Sequence, residues 1–243
     1  LGIENIHQGR NLKIKPFVTA GVTQVRAGDQ MRTIRSLGQF TGADRGYEAG
    51  VDAKYGLSAS VTLDATYHTD FAQVEVDQQQ VNLTRFNLFF PEKRDFFLEN
   101  AGTFTIGAGG FGVNNANMLP FFSRRVGLSP SGTPIPIVGG ARVSGKADKY
   151  DFGFLTMKTE RLGSIPSNNY MVGRVRRNLL TRSWFGGIMT NRDSTQAGDY
   201  NRVYGMDAHV VFYNKLESDS YLLKSDTPGK AGKNQARRFS TAW

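Results

Sequence analysis

The chain has 243 residues, with 30 Lys and Arg against 21 Asp and Glu (net charge +9), 28 glycines and no cysteine. That length makes one large β domain or two ordinary ones, and the missing cysteine excludes a disulfide framework and a thiolate metal site. No long apolar run supplies a membrane-spanning helix, and no run of five Lys or Arg and no nucleic-acid motif turns the positive charge into a case for nucleic acid.

The predicted elements are strands. Leu12, Ile14, Val18, Ala20 and Val22 share one face of the first, and Lys13, Lys15, Thr19 and Thr23 share the other. Pro16 marks an edge or a bend there. A polar connector over 27–45 leads to a second strand, about Gly46 to Leu57. In it Tyr47, Ala49, Val51, Ala53, Tyr55 and Leu57 alternate with Glu48, Gly50, Asp52, Lys54 and Gly56. In the third, Ala59, Val61, Leu63, Ala65 and Tyr67 oppose Ser60, Thr62, Asp64, Thr66 and His68. The rhythm breaks over 69–136 and resumes with Ile137 to Ala147, a turn at Asp148-Lys149, and Tyr150 to Glu160. Then follow Asn169 to Asn178, Arg182 to Arg192, Arg202 to Tyr213 and Ser220 to Ser225. The chain ends on Arg237 to Trp243, which alternates like a strand just begun.

Connectors are short after the even strands and long after the odd ones. Short periplasmic turns and longer outer loops produce this parity in an up-and-down barrel, and segments of about ten alternating residues suit a tilted membrane-crossing strand. Tyr47 and Tyr55 share a face eight residues apart, as do Tyr204 and Phe212. At about 3.3 Å per residue and roughly 40° of tilt, eight residues cover about 20 Å along the normal, near the spacing of two aromatic girdles. Faces as small as Ala49, Val51 and Ala53 pack a soluble core poorly. The reading is an all-β, antiparallel up-and-down transmembrane β-barrel. It is partial, with nine or ten strands in one domain over 1–243, and cut at both ends. Its partner is outer-membrane lipid and its location the bacterial outer membrane.

The segment 69–136 is too long for an idle loop. Pro91 can open a helix with Glu92 in its first turn, and Gly102 can end it. Phe89, Phe90, Phe96, Phe97 and Leu98 are too apolar to dangle in water. The segment is therefore expected to fold back and pack, into the lumen as a plug or over one mouth. There Glu92, Lys93, Arg94, Asp95 and Glu99 would pair with wall charges, and Arg124 and Arg125 would meet Glu75, Asp77 or Glu99. Glu92, Lys93, Arg94, Glu99, Arg124, Arg125, Glu75 and Asp77 are the ligand or gate candidates; the alternative is that they only fix the plug.

Three strings within this stretch carry a resemblance. Asp70-Phe71-Ala72-Gln73-Val74-Glu75-Val76-Asp77 reads DFxQVExD. Phe89 to Glu99 reads FFPEKRxFFLE, and Phe121 to Gly127 holds FxSRRxG. The chain resembles a family of bacterial outer-membrane proteins in which a barrel domain of unknown function follows a module similar to family 9 carbohydrate-binding domains. The resemblance implies the first half or so of such a barrel and, by association, carbohydrate as a partner. Transport or surface binding is the implied role.

Other chemistry is weaker. Asp64, Asp70, Glu75, Asp77, Glu92 and Glu99 offer carboxylates for a carbohydrate-active hydrolase, but separation in space decides that mechanism. His7, His68 and His209 have no ligand spacing, and His68 and His209 read as solvated wall residues. The glycines of 107–112 lack the lysine of a phosphate loop, and no G-x-S-x-G elbow occurs. No cofactor, metal or catalytic residue is assigned. A soluble β-sandwich interaction module is the remaining alternative. Polar faces hold Lys54, Arg142, Lys146, Arg174 and Arg176 against Glu48, Asp52, Asp64 and Asp207. Asp151 is left out of this count because its face also holds Leu155 and Met157, and counting it among the acids would cancel the excess. Five cations against four acids are a modest basic excess, which predicts a weak preference for anionic or acidic-sugar solutes.

Overall fold

The computed structural model describes residues 11–23, 44–68, 92, 94–107, 118–129, 135–213, 215–230 and 232–243. The strands are β1 (Leu12–Thr23), β2 (Asp44–Ser58), β3 (Val61–Tyr67), β4 (Ile137–Ala147) and β5 (Tyr150–Thr159). They continue with β6 (Asn168–Leu180), β7 (Ser183–Ser194), β8 (Tyr200–Phe212), β9 (Leu216–Asp226) and β10 (Gln235–Ala242). All ten lie in one sheet in sequence order, each antiparallel to the next. The protein is all-β and up-and-down. Among the described residues β1 and β10 are the two edges, so these strands make an open sheet.

Alternation explains the register. Ala53 faces Ala65 and Tyr55 faces Leu63 on one side, while Asp52 faces Thr66 and Lys54 faces Asp64 on the other. A slip of one residue would exchange the two sets, so the pattern selects one pairing. Pro16 lies in edge strand β1, opposite Val51, where a residue with no N–H to give is tolerated. Connectors 59–60, 148–149, 181–182 and 213–215 are short, and those following the odd strands are longer. The parity read from the sequence is the parity of the fold.

The described residues between β3 and β4, chiefly 94–107 and 118–129, lie on one face of the sheet, here called the inner face. Helix α1 (Asp95–Leu98) is a single turn, and 3-10 turns follow at Ala101–Phe104 and Ser123–Arg125. The helix expected from Pro91 to Gly102 is thus corrected. It begins at Asp95, ends before Gly102, and Arg94 at its N-cap makes no side-chain cap bond. Glu92 is engaged with Arg94 instead, and Asn100 takes the left-handed conformation (φ 55°) that turns the chain away. Pro91 itself lies outside the described residues.

The core lies between this internal segment and the sheet. Phe97, Phe104, Ile106 and Val126 pack with Ile137, Leu155, Met157, Val172, Ile188 and Leu223. Each such burial is worth roughly 1.5–3 kcal/mol. Gly153 of β5 is bare at the contact. A Cβ there would stand 2.6 Å from Thr103 Cγ2 and 3.1 Å from the Phe104 ring. The opposite, outer face is apolar, and no layer covers it among the described residues. Val175, Phe185, Tyr204, Met206, Phe212 and Leu222 are each at least 46% exposed.

Candidate functional site

On β3 and β4, Arg142 is the hinge of the inner face. It is 1% exposed, and its Nη2 donates to Asp64 Oδ2 at 2.8 Å across the strand pair. Its Nη1 donates to the carbonyl oxygens of Phe96 and Glu99, tying the internal segment's backbone to the wall. The guanidinium also stands 5.2 Å from the Phe96 ring centre. Glu99 receives a second contact from Lys54. The hydrogen bond from Lys54 holds the Glu99 carboxyl below its ordinary range, against the opposing push of burial.

On β6 and β8, Arg174 makes a two-pronged pair with Asp207, at 2.6 and 2.7 Å, with both residues buried. Gly186 leaves room for that guanidinium, since a Cβ there would lie 3.0 Å from Arg174 Cζ. Asp207 Oδ2 also accepts the Gly107 N–H at 2.8 Å, so this pair holds the far end of the segment.

Within the segment, Arg94 forms a staple. Its Nε and Nη2 donate to Glu92 at 2.8 and 2.7 Å, and its Nη1 and Nη2 reach the Val126 and Ser123 carbonyls, both at 2.7 Å. The cation lies 4.2 Å over the Phe97 ring. Burial pushes the Glu92 carboxyl up, but the bonds and charge of Arg94 outweigh it and the group sits below its ordinary range.

Two open regions border the segment. At the end with short turns, a cavity of about 520 Å³ is lined by Thr103, Thr105, Ser144, Lys146, Asp151 and Arg176 among others. A neighbouring one of about 490 Å³ shares Thr105 and Arg176 and adds Trp184 and His209. Toward the end with long connectors, a cleft of about 220 Å³ lies between Phe121, Phe122 and Arg125 and the wall residues Tyr170, Arg192 and Asn201. Arg192 donates to Asn168 Oδ1 at 2.8 Å and pairs with Asp199, whose carboxyl it holds down. These are solute-sized spaces lined by donors and acceptors, and among the described residues no three His, Asp or Glu gather as a metal site.

The sequence candidates scatter over this geometry. Glu99 does pair with the wall, through Lys54 and Arg142. Glu92 and Arg94 do not follow that expectation in full, because they bond each other and brace the segment. A guanidinium two residues away competes better for Glu92 than a distant wall cation does. Arg124 is buried and Arg125 is exposed at the smaller cleft. Lys93, Glu75 and Asp77 lie outside the described residues, and with them the expected meetings of Arg124 and Arg125 with Glu75 or Asp77. His209 corrects the reading of a solvated histidine. It sits on the inner wall but is 9% exposed, 3.0 Å from Asp219 and stacked on Trp184. Arg192, Tyr170 and Asn201 were not singled out. Their only sequence signal is polarity on the inner parity of strand ends, which many wall residues share.

Fold and site together define an antiparallel all-β protein with an internal segment pinned to one face by arginine–carboxylate pairs. The family model described as a domain of unknown function, DUF5916, matches residues 11–143, and the chain belongs to that family. Comparison with curated proteins and with solved structures gives no match.

Proposed function

We propose that the chain is the wall of a bacterial outer-membrane β-barrel, closed by pairing beyond these ten strands, and that its inner face conducts or binds small solutes. One observation carries the reading. The sheet's outer face is apolar, half-exposed and without a covering layer among the described residues, while its inner face is charged and packed against the internal segment. Lipid is the solvent that suits such an outer face. Tyr67 and Tyr204 stand toward the long connectors, and Tyr150, Phe185 and Phe212 toward the short turns, as two interfacial belts would. A soluble sandwich needs a second sheet over those side chains, and the described residues contain one sheet.

The full-length protein should require detergent for solubility and migrate differently on a gel with and without heating. Solubility without detergent would sink the reading. Lys54, Arg142, Arg174 and Arg176 are each paired with a carboxylate, so the exposed Lys146 is the cation of this set that favours anionic solutes, with carbohydrate-related ones suggested by the family resemblance. Reversal potentials in planar bilayers should show anion preference, and cation selectivity would refute it.

A further inference from the structure

Asp151 on β5 has one oxygen fully engaged and one without a hydrogen bond. Its Oδ2 accepts from Arg176 Nε and Nη2 at 3.1 and 2.7 Å and from Asn178 Nδ2 at 3.1 Å. Its Oδ1 is buried and takes no hydrogen bond, although the residue is only 8% exposed. It stands in a long ion pair with Lys146 Nζ, 3.5 Å away on a side chain that is 73% exposed. A buried carboxylate oxygen without a hydrogen-bond donor is costly, so a ligand donor that reaches it as the exposed Lys146 side chain moves aside is favoured.

The surroundings say which ligand. Asp151 lines the cavity of about 520 Å³ at the short-turn end, together with the hydroxyl groups of Thr103, Thr105 and Ser144. Arg176 Nη1 has no partner among the described residues, and Lys146 is held only by its long contact to Asp151. With Asp151 balanced by Arg176, Lys146 leaves the cavity one positive charge in excess. We propose that this cavity is a subsite for a small hydroxylated carboxylate. The ligand's carboxylate would lie against Lys146 and Arg176 Nη1, and one of its hydroxyl groups would donate to Asp151 Oδ1. The neighbouring hydroxyl side chains would take the remaining hydroxyls. This deepens the proposed solute-handling role and rests on it for access to the inner face.

The test is calorimetric titration of the folded, detergent-solubilised full-length protein with D-gluconate, acetate and sorbitol. Gluconate should bind at least tenfold more tightly than acetate, which lacks the hydroxyls, or sorbitol, which lacks the charge. Asp151→Asn should lower the preference for gluconate over acetate about tenfold, because it removes the acceptor of the hydroxyl while its added positive charge acts on both carboxylates alike. Should that variant not fold, Lys146→Met should weaken gluconate and acetate alike while sparing sorbitol. Equal binding of the three probes, or an unaltered gluconate-to-acetate preference in a folded Asp151→Asn protein, overturns the proposal. Bilayer conductance separates the two readings. Gluconate binding without conductance leaves the subsite standing and removes the channel, and conductance without probe discrimination does the reverse.

Discussion

The inner wall holds its internal segment in two different ways. Over β3 and β4 the grip is ionic: Arg142 joins Asp64 to the carbonyls of Phe96 and Glu99. Over β5 to β9 it is chiefly apolar: Leu155, Met157, Val172, Ile188 and Leu223 receive Phe97, Phe104, Ile106 and Val126, with Asp207 adding a polar tie to the Gly107 N–H. The difference lies in what the segment offers at each place. At the end of α1 it presents bare carbonyls and a carboxylate, which only a donor can satisfy. Beyond Ala101 it presents side chains that water rejects. A wall built for water alone would be polar throughout, so apolar inward residues mark where the segment sits.

The ionic grip should be the most fragile. Arg142→Met strands Asp64 and two carbonyls at once, with an expected loss of roughly 3–5 kcal/mol, read from the midpoint of urea unfolding in detergent. Adding Asp64→Leu should recover part of it, because the uncompensated charge is then gone; no recovery would mean the carbonyl contacts dominate. On the apolar side, Phe104→Ala should cost about 3 kcal/mol by the same measurement, since the ring is buried against Gly153 and the other core side chains. A loss below about 1 kcal/mol would show that the segment repacks.

Acid should act on the segment's own staple. The Glu92 carboxyl titrates lower in the folded protein than in the unfolded chain. Its contribution is therefore complete above the ordinary carboxylate range and is lost as pH falls through the lowered folded value. The wild-type melting temperature should fall over that acidic window, and Glu92→Gln should be less stable at neutral pH with a shallower acid slope. Parallel curves would exclude the staple as the cause. The smallest effect belongs to Lys54→Met, which removes a half-exposed pair with Glu99 and should shift stability by less than about 1 kcal/mol.

Much of this was legible in the residues. The strand Ile137–Ala147 is found with the ends its alternation implies, and Lys54, Asp64, Arg142, Arg174 and Asp207 all fall on the inner face. Even Leu155 and Met157, which spoiled the polar face of β5, carried information: they are the floor under the internal segment. β9 was harder. Only Ser220 to Ser225 alternates clearly, because Glu217, Ser218, Asp219 and Ser220 are polar on both faces. Pairing with β8 extends the strand back to Leu216.

What the amino-acid order determined by itself was local. Side chains of alternating polarity commit a strand to two unlike faces, and the parity of connector lengths arranges those strands up and down. Only the tertiary structure decided that Arg94 takes Glu92, that Arg142 takes the backbone of Phe96 and Glu99, and that Asp151 keeps one oxygen without a hydrogen bond. Those outcomes depend on groups both near and far in the chain competing for the same few donors, and the competition is settled by distance in space, which alternation does not encode.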